Sequence, residues 1–120
     1  MAMYSDLNQS YIEEVKVYNL ESIQQSIHNI LSTPKGTRLF LPEFGSELER
    51  YLFDPMVDVT IAGIEDEIIS AIERWEYRVI LEDTFIVPYY NEHRYEFTIR
   101  YSVVGLSGRT FEYVGELVKE

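Results

Sequence analysis

"RYEFTIRYSVV", residues 94–104, sets Tyr95, Phe97, Ile99, Tyr101 and Val103 in strict alternation with Glu96, Thr98, Arg100 and Ser102. A period of two is the pattern of a strand with one buried and one open face. The apolar set is therefore expected to face the core. Before it, "RVILEDTFIVP" (78–88) reads as another strand and "YYNEH" (89–93) as a loop containing a turn. After it, "GLSG" (105–108) reads as a four-residue hairpin connection and "RTFEYVGELV" (109–118) as the last strand.

Upstream the period becomes helical. Ile61, Ile64, Ile68, Ile72 and Trp75 step by three or four residues behind Asp58, a good N-cap type. Gly63 inside this helix costs about 1 kcal/mol relative to Ala, and close approach by another backbone is the expected compensation. Ile23, Ile27, Ile30 and Leu31 mark an earlier helix from an Asn19 cap to about Leu31, broken by "TPKG" (33–36). Between the two, Pro42 precedes a short helix in which Ser46 and Glu49 have capping-box spacing, and Pro55 ends it. Residues 11–19 alternate weakly and read as a short strand or an extended segment.

Helices followed by an antiparallel meander define an α+β fold. The expected order is an N-terminal arm or short strand (1–18) and one domain (19–118). That domain holds two main helices, a short helix and a three-stranded meander, four-stranded if the N-terminal segment joins it.

Composition narrows the function classes. The 120 residues carry 21 acidic against 10 basic side chains, a formal charge of −11. Phosphate backbones repel such a chain, and Arg94, Arg100 and Arg109 are scattered rather than gathered into a patch, so nucleic acid is not an expected partner. The absence of cysteine removes disulfides and thiolate metal sites. No apolar run approaches the roughly 20 residues of a membrane span. The N-terminus lacks a basic region followed by an apolar one, so the expectation is a soluble chain without a membrane partner.

Catalytic signals are weak. His28 adjoins the apolar helix face, His93 follows the Asn91–Glu92 turn, and neither is spaced with a carboxylate as a metal-ligand pair would be. The Gly-x-Ser-Gly fragment in "VGLSGRT" sits in a hairpin, whereas a nucleophile elbow needs G-x-S-x-G between strand and helix. Glu43, Glu47 and Glu49 cluster near aromatics as a glycosidase pair would, but 21 acids produce such clusters by chance. No enzyme activity, metal or cofactor is expected.

What stands out instead is "KGTRLFLPEFGSELERYLF" (35–53), followed by "IEDEIISAIERWEYRV" (64–79). Together they resemble the small baseplate wedge protein family of T-even-like contractile phages. This GPW or "lysozyme-like" baseplate family extends to a type VI secretion component, and the resemblance runs from residue 4 to about residue 104. It implies a non-catalytic subunit of the virion's tail baseplate, assembled in the host cytoplasm and present in several copies under rotational symmetry. The implied partners are other baseplate wedge proteins and tail sheath subunits, with the tail tube as a further contact. The implied role is to dock on the wedge scaffold and template the first sheath ring by strand addition. A peptidoglycan-degrading hydrolase and an adaptor in a related injection system are the alternatives.

The resemblance also implies site residues. The family's Glu-Pro-Arg tripeptide, tied to docking on the wedge's helical core, falls on Glu76, Tyr77 and Arg78, with Tyr in place of Pro. An exposed intramolecular salt bridge between Glu76 and Arg78 is the competing reading. Lys35 and Arg38 are expected to face a partner. Pro42, Glu43, Phe44 and Gly45 are expected to shape a docking loop: Phe44 buried, Gly45 permitting a tight or left-handed backbone, and Ser46 capping the next helix. For Phe44 and Leu52, packing in the domain's own core is an equal alternative. Strand 94–104 or 109–118 is the expected receiving edge, unless Glu112, Gly115 and Glu116 protect the last strand.

Overall fold

A computed structural model describes residues 9–119, with side chains from Leu20 onward except Ser107. Helix α1 spans Gln9–Ser32 and α2 spans Asp58–Trp75, with a 3-10 helix at Leu48–Phe53 between them. Three strands follow, β1 (Val79–Tyr89), β2 (Arg94–Val103) and β3 (Leu106–Val118), in the antiparallel order β1-β2-β3. The α+β class and the three-stranded meander are as the residue pattern indicated.

Both helices lie on one face of the sheet, and β2 explains why. Tyr95, Phe97, Ile99, Tyr101 and Val103 are all buried, forming the apolar floor on which the helices pack. Ile23, Ile27, Ile30 and Leu31 come down on it from α1, and Ile64, Ile68, Ala71 and Ile72 from α2. Polar contacts fix the α1 side. Gln24 Nε2 donates to Tyr101 Oη at 2.6 Å and to the Glu112 carbonyl at 3.0 Å, and His28 Nδ1 lies 3.0 Å from Tyr113 Oη.

Several expectations need correction. Residues 11–19 are helical, so α1 begins well before Asn19 and no fourth strand forms there; residues 1–8 of the expected arm lie outside the described residues. Helix α2 is preceded by Val57 as N-cap, because Asp58 is already in its first turn. The capping box does not form. Ser46 Oγ instead donates to the Leu31 carbonyl at 3.1 Å, and Glu47 precedes the 3-10 helix with no side-chain cap. The neighbour that exploits the missing side chain at Gly63 is the Tyr51 ring, not a backbone. The β2–β3 turn is tighter than four residues: Val103 lies opposite Leu106, and the register then shifts to set Phe111 opposite Tyr101.

Strand order also settles which edges are free. With β1 and β3 on its two sides, β2 has no unpaired edge, so 94–104 cannot receive another strand. Strand β1 carries a bulge between Leu81 and Asp83 and a proline at position 88, both usual protections of an edge. Strand β3 has regular pairing from Phe111 to Val118. Gly115 is not an edge guard: a side chain there would collide with the Phe97 ring, which stacks on Tyr113 at 6.3 Å.

The chain between α1 and the 3-10 helix closes into a loop. Ser46 N–H donates to the Thr33 carbonyl (2.9 Å), Lys35 N–H to the Ser46 carbonyl (3.3 Å) and Gly36 N–H to the Pro42 carbonyl (2.8 Å). Gly45 is the residue this closure needs. Its φ is +109°, a glycine region, and a Cβ there would fall on the Thr33 carbonyl oxygen. Gly45→Ala is expected to lower the unfolding free energy by about 3 kcal/mol or to open the loop; urea denaturation with proteolysis across residues 35–45 reads either outcome.

Candidate docking surface

Two segments singled out from sequence meet in space at the end of α2. The Arg38 guanidinium lies over the Phe44 ring, 4.4 Å from its centroid, and Phe44 meets Trp75 edge-on at 5.2 Å. Glu43 pairs with Arg74 at 3.5 Å. The loop is thus fastened, through Glu43 and Phe44, to the two residues that precede Glu76. Phe44 is half-buried in this joint, between the core and docking roles expected for it. Lys35 is drawn the other way, to Glu67 at 3.9 Å.

The 76–78 corner changes the chain from helix to strand. Glu76 N–H still bonds the Ile72 carbonyl at 2.8 Å, while the Arg78 carbonyl accepts from Val104 N–H at 2.8 Å. The side chains close on each other: Arg78 Nε and Nη2 fork onto Glu76 Oε1 and Oε2 at 2.8 and 2.7 Å. Arg78 N–H adds a third bond to Oε1 at 3.1 Å, and Arg78 Nη1 reaches Ser22 Oγ on α1 at 3.4 Å. The pair is intramolecular, as one of the two expectations had it, but it is not an exposed bridge. Glu76 is 3% exposed and Arg78 about a third exposed, while Tyr77 between them projects into solvent with 87% of its surface free. The fork holds the chain at this change of direction with Tyr77 on its outer side.

Burial alone would push the Glu76 carboxyl up. Hydrogen bonds from the Arg78 side chain, Ser26 and the Arg78 backbone, with the guanidinium's charge, overcome this and hold it below the ordinary carboxylate range. The carboxyl is kept ionised, the opposite of what a glycosidase acid requires. Of the Glu43, Glu47 and Glu49 cluster noted in the sequence, Glu43 and Glu47 are paired with Arg74 and Arg50. Among the described residues no His, Asp or Glu group is arranged to hold a metal ion.

The surface has a feature the candidate residues omitted. At the loop tip, Leu39 and Phe40 are 85% and 89% exposed and Leu41 is 47% exposed. A run of three exposed apolar residues is a fault in a free-standing domain unless it serves contact. The signal was in the sequence, as an apolar triplet between Arg38 and Pro42. It could not be told from a core segment until the loop's closure showed it pointing outward.

A second concave region lies along β3. A groove of about 700 Å³ runs between that strand, the C-terminal half of α1 and the 3-10 helix, with Leu31, Leu52, Phe53, Phe97 and Leu117 in its walls. Leu52, expected in the core or at a docking surface, stands in this wall.

Comparison with known proteins gives consistent results. Residues 18–106 match the family described as baseplate wedge protein gp25. The chain is 36% identical to baseplate wedge protein gp25 of Enterobacteria phage T4 over 71% of its length, which spans 64% of the T4 protein. It is 35% identical to baseplate protein W of Escherichia phage P2, over 67% of this chain and 68% of that one. Among solved structures, a candidate tail lysozyme of Geobacter sulfurreducens superposes with a TM-score of 0.77 at 28% identity, over 85% of this chain and 92% of the other.

Arg78→Met leaves the buried Glu76 charge without its partner and is expected to cost about 3 kcal/mol in urea denaturation. The double change Glu76→Gln with Arg78→Met should recover part of that loss. The pH dependence has a definite sign. With its folded pKa depressed, Glu76 contributes stability above the unfolded carboxylate range and loses it as pH falls through the folded value. Unfolding free energy should therefore fall on acidification in the parent chain and less steeply in Glu76→Gln, read from urea titrations across that range.

Proposed function

We propose, for a chain that belongs to the baseplate wedge protein gp25 family, a structural role in the baseplate of a contractile tail. The chain works by contact and not by turnover. The observation that carries this is the loop tip: three large apolar side chains held in water on a base closed by hydrogen bonds and Gly45. Burial of such side chains against a partner stabilises an assembly by roughly 25 cal/mol per Å². A free monomer gains nothing from them.

In this reading Lys35, Arg38, Pro42, Glu43, Phe44 and Gly45, with the Glu76–Tyr77–Arg78 corner, form the face that meets other baseplate wedge proteins. The parts differ in duty. Arg38 and Tyr77, with the Leu39–Leu41 tip, are accessible and make contact. Glu43, Phe44, Gly45, Glu76 and Arg78 hold the face in shape through the pairs described above. The chain is present in several copies in the rotationally symmetric baseplate of the virion, near the tail tube, after assembly in the host cytoplasm.

Sheath initiation by strand addition fits the same geometry. Strand β3 is the regular edge, and the groove beside it could take the inward side chains of an added strand while main-chain groups pair along its rim. The first sheath subunits would then continue a sheet that this chain begins.

The hydrolase reading rests on the description of the Geobacter neighbour as a candidate tail lysozyme. Against it, Glu43 and Glu47 are paired with Arg74 and Arg50, and the buried Glu76 is held ionised by Arg78.

Two outcomes test the proposal. Baseplates purified without this chain are expected to fail to start sheath on the tube; normal sheath initiation on such baseplates would refute the initiator role. Leu39→Ser with Phe40→Ser should leave the free chain's unfolding midpoint unchanged while lowering its incorporation into baseplates by about tenfold, a loss of about 1.4 kcal/mol in binding. Unchanged incorporation would return the tip to the status of an idle loop.

A further inference from the structure

The sheet has a second face. Among the described residues nothing packs on it, yet it is not the polar surface that an antiparallel sheet normally turns to water. Register places Phe85, Thr98 and Val114 in one row across the three strands, with Val87, Glu96 and Glu116 in the next row and Asp83, Arg100 and Glu112 on the other side. Phe85 is 50% exposed, Val87 48% and Val114 58%. The apolar row therefore lies open between two charged ones.

Charge on this face is unbalanced. Arg100 is shared between Asp83 at 3.6 Å and Glu112 at 3.9 Å, and Arg94 between Glu96 at 3.6 Å and Glu116 at 3.4 Å. Arg94 is also drawn to Glu92 at 3.1 Å and lies over the Tyr89 ring at 4.0 Å. Each guanidinium is thus outnumbered by carboxylates, leaving an acidic rim that a cationic partner would complete.

Shape narrows the partner further. Two strand spacings separate Phe85 from Val114, about 9.6 Å, close to the roughly 10 Å width of one helix with its side chains. A strand joining the sheet would pair at its edge and leave this face bare. A helix laid along the strands would cover the apolar row and set its flanks over the acidic rows.

We infer that the uncovered face is a docking site for a basic amphipathic helix of a neighbouring subunit. Its apolar side covers Phe85, Val87 and Val114, and its lysines or arginines meet Glu96, Glu112 and Glu116. The inference rests on the assembly role proposed above and adds a contact separate from the loop tip and from the β3 edge.

Hydroxyl-radical footprinting tests it, comparing the free chain with tail particles that contain the chain. Oxidation of Phe85 and Tyr89 is expected to slow by about tenfold in the particles, because a packed interface excludes water. If the chain is in the particles and both residues react as fast as in the free chain, the inference falls while the baseplate role stands. If tail particles never contain the chain, both fall. Protection already complete in the free chain would mean that the chain covers its own face, and would also overturn the inference. Charge supplies an independent reading. Glu112→Gln with Glu116→Gln removes two exposed carboxylates without setting like charges opposite Arg100 or Arg94, so it should nearly keep the free chain's unfolding midpoint and reduce incorporation about tenfold; full incorporation of this variant would exclude a cationic partner.

Discussion

Burial of one side of β2 is the constraint on which the rest of the molecule depends. Its five inward side chains are 0–8% exposed, and every other element is placed by what it contributes to covering them. The two helices bring their isoleucine faces down on that floor. The outer strands complete the sheet on either side of β2, and Gly115 is small because the Phe97 ring occupies the space its side chain would need. In a chain of this length a single floor supplies most of the stabilising burial, since small domains bury a limited share of their surface. One consequence is geometric: a central strand packed on one face leaves a sheet with two free edges and one uncovered face.

The passage from α2 to β1 is secured in a different way. Turning the chain from helix to strand exposes backbone groups at the junction. Here a buried carboxylate takes them up, binding the Arg78 backbone N–H and its guanidinium together. A buried ion pair adds little net stability compared with apolar packing. What it supplies is direction: the fork fixes Glu76 and Arg78 on the inside of the bend and leaves Tyr77 outside. The neighbouring Arg74 and Trp75 are held by Glu43 and Phe44, so corner and loop cannot shift independently.

The proposed role rests on what the molecule leaves uncovered. The core uses isoleucine, leucine and aromatic side chains economically, yet Leu39, Phe40, Phe85 and Val114 remain in solvent. These positions do not lie on one patch. They belong to a closed loop at the end of α2 and to the sheet face turned away from the helices. Together with the β3 groove they make three separate uncovered surfaces, which is what the proposed assembly role calls for. The formal charge of −11 opposes close approach by acidic partners.

Most of the architecture was legible in the residue pattern because it is written in periodicity, which is local. Alternation from Tyr95 to Val103 identified a strand with one buried side, though not that it is the central one, and three- and four-residue steps identified α2 and the packed face of α1. The start of α1 was missed because residues 11–19 alternate weakly, while helix continuity there is carried by propagation from a packed segment downstream. Ser46 looked like a cap because its spacing was right, but its hydroxyl had a better acceptor at Leu31, fifteen residues away. By itself the sequence determined the class of fold and the family resemblance. The tertiary structure alone decided which strand edges are free, that Glu76 is buried in a fork with Arg78, and that the loop tip points into water. Each of these depends on pairings between residues distant in the chain, and no local pattern encodes a pairing until the core has brought its two members together.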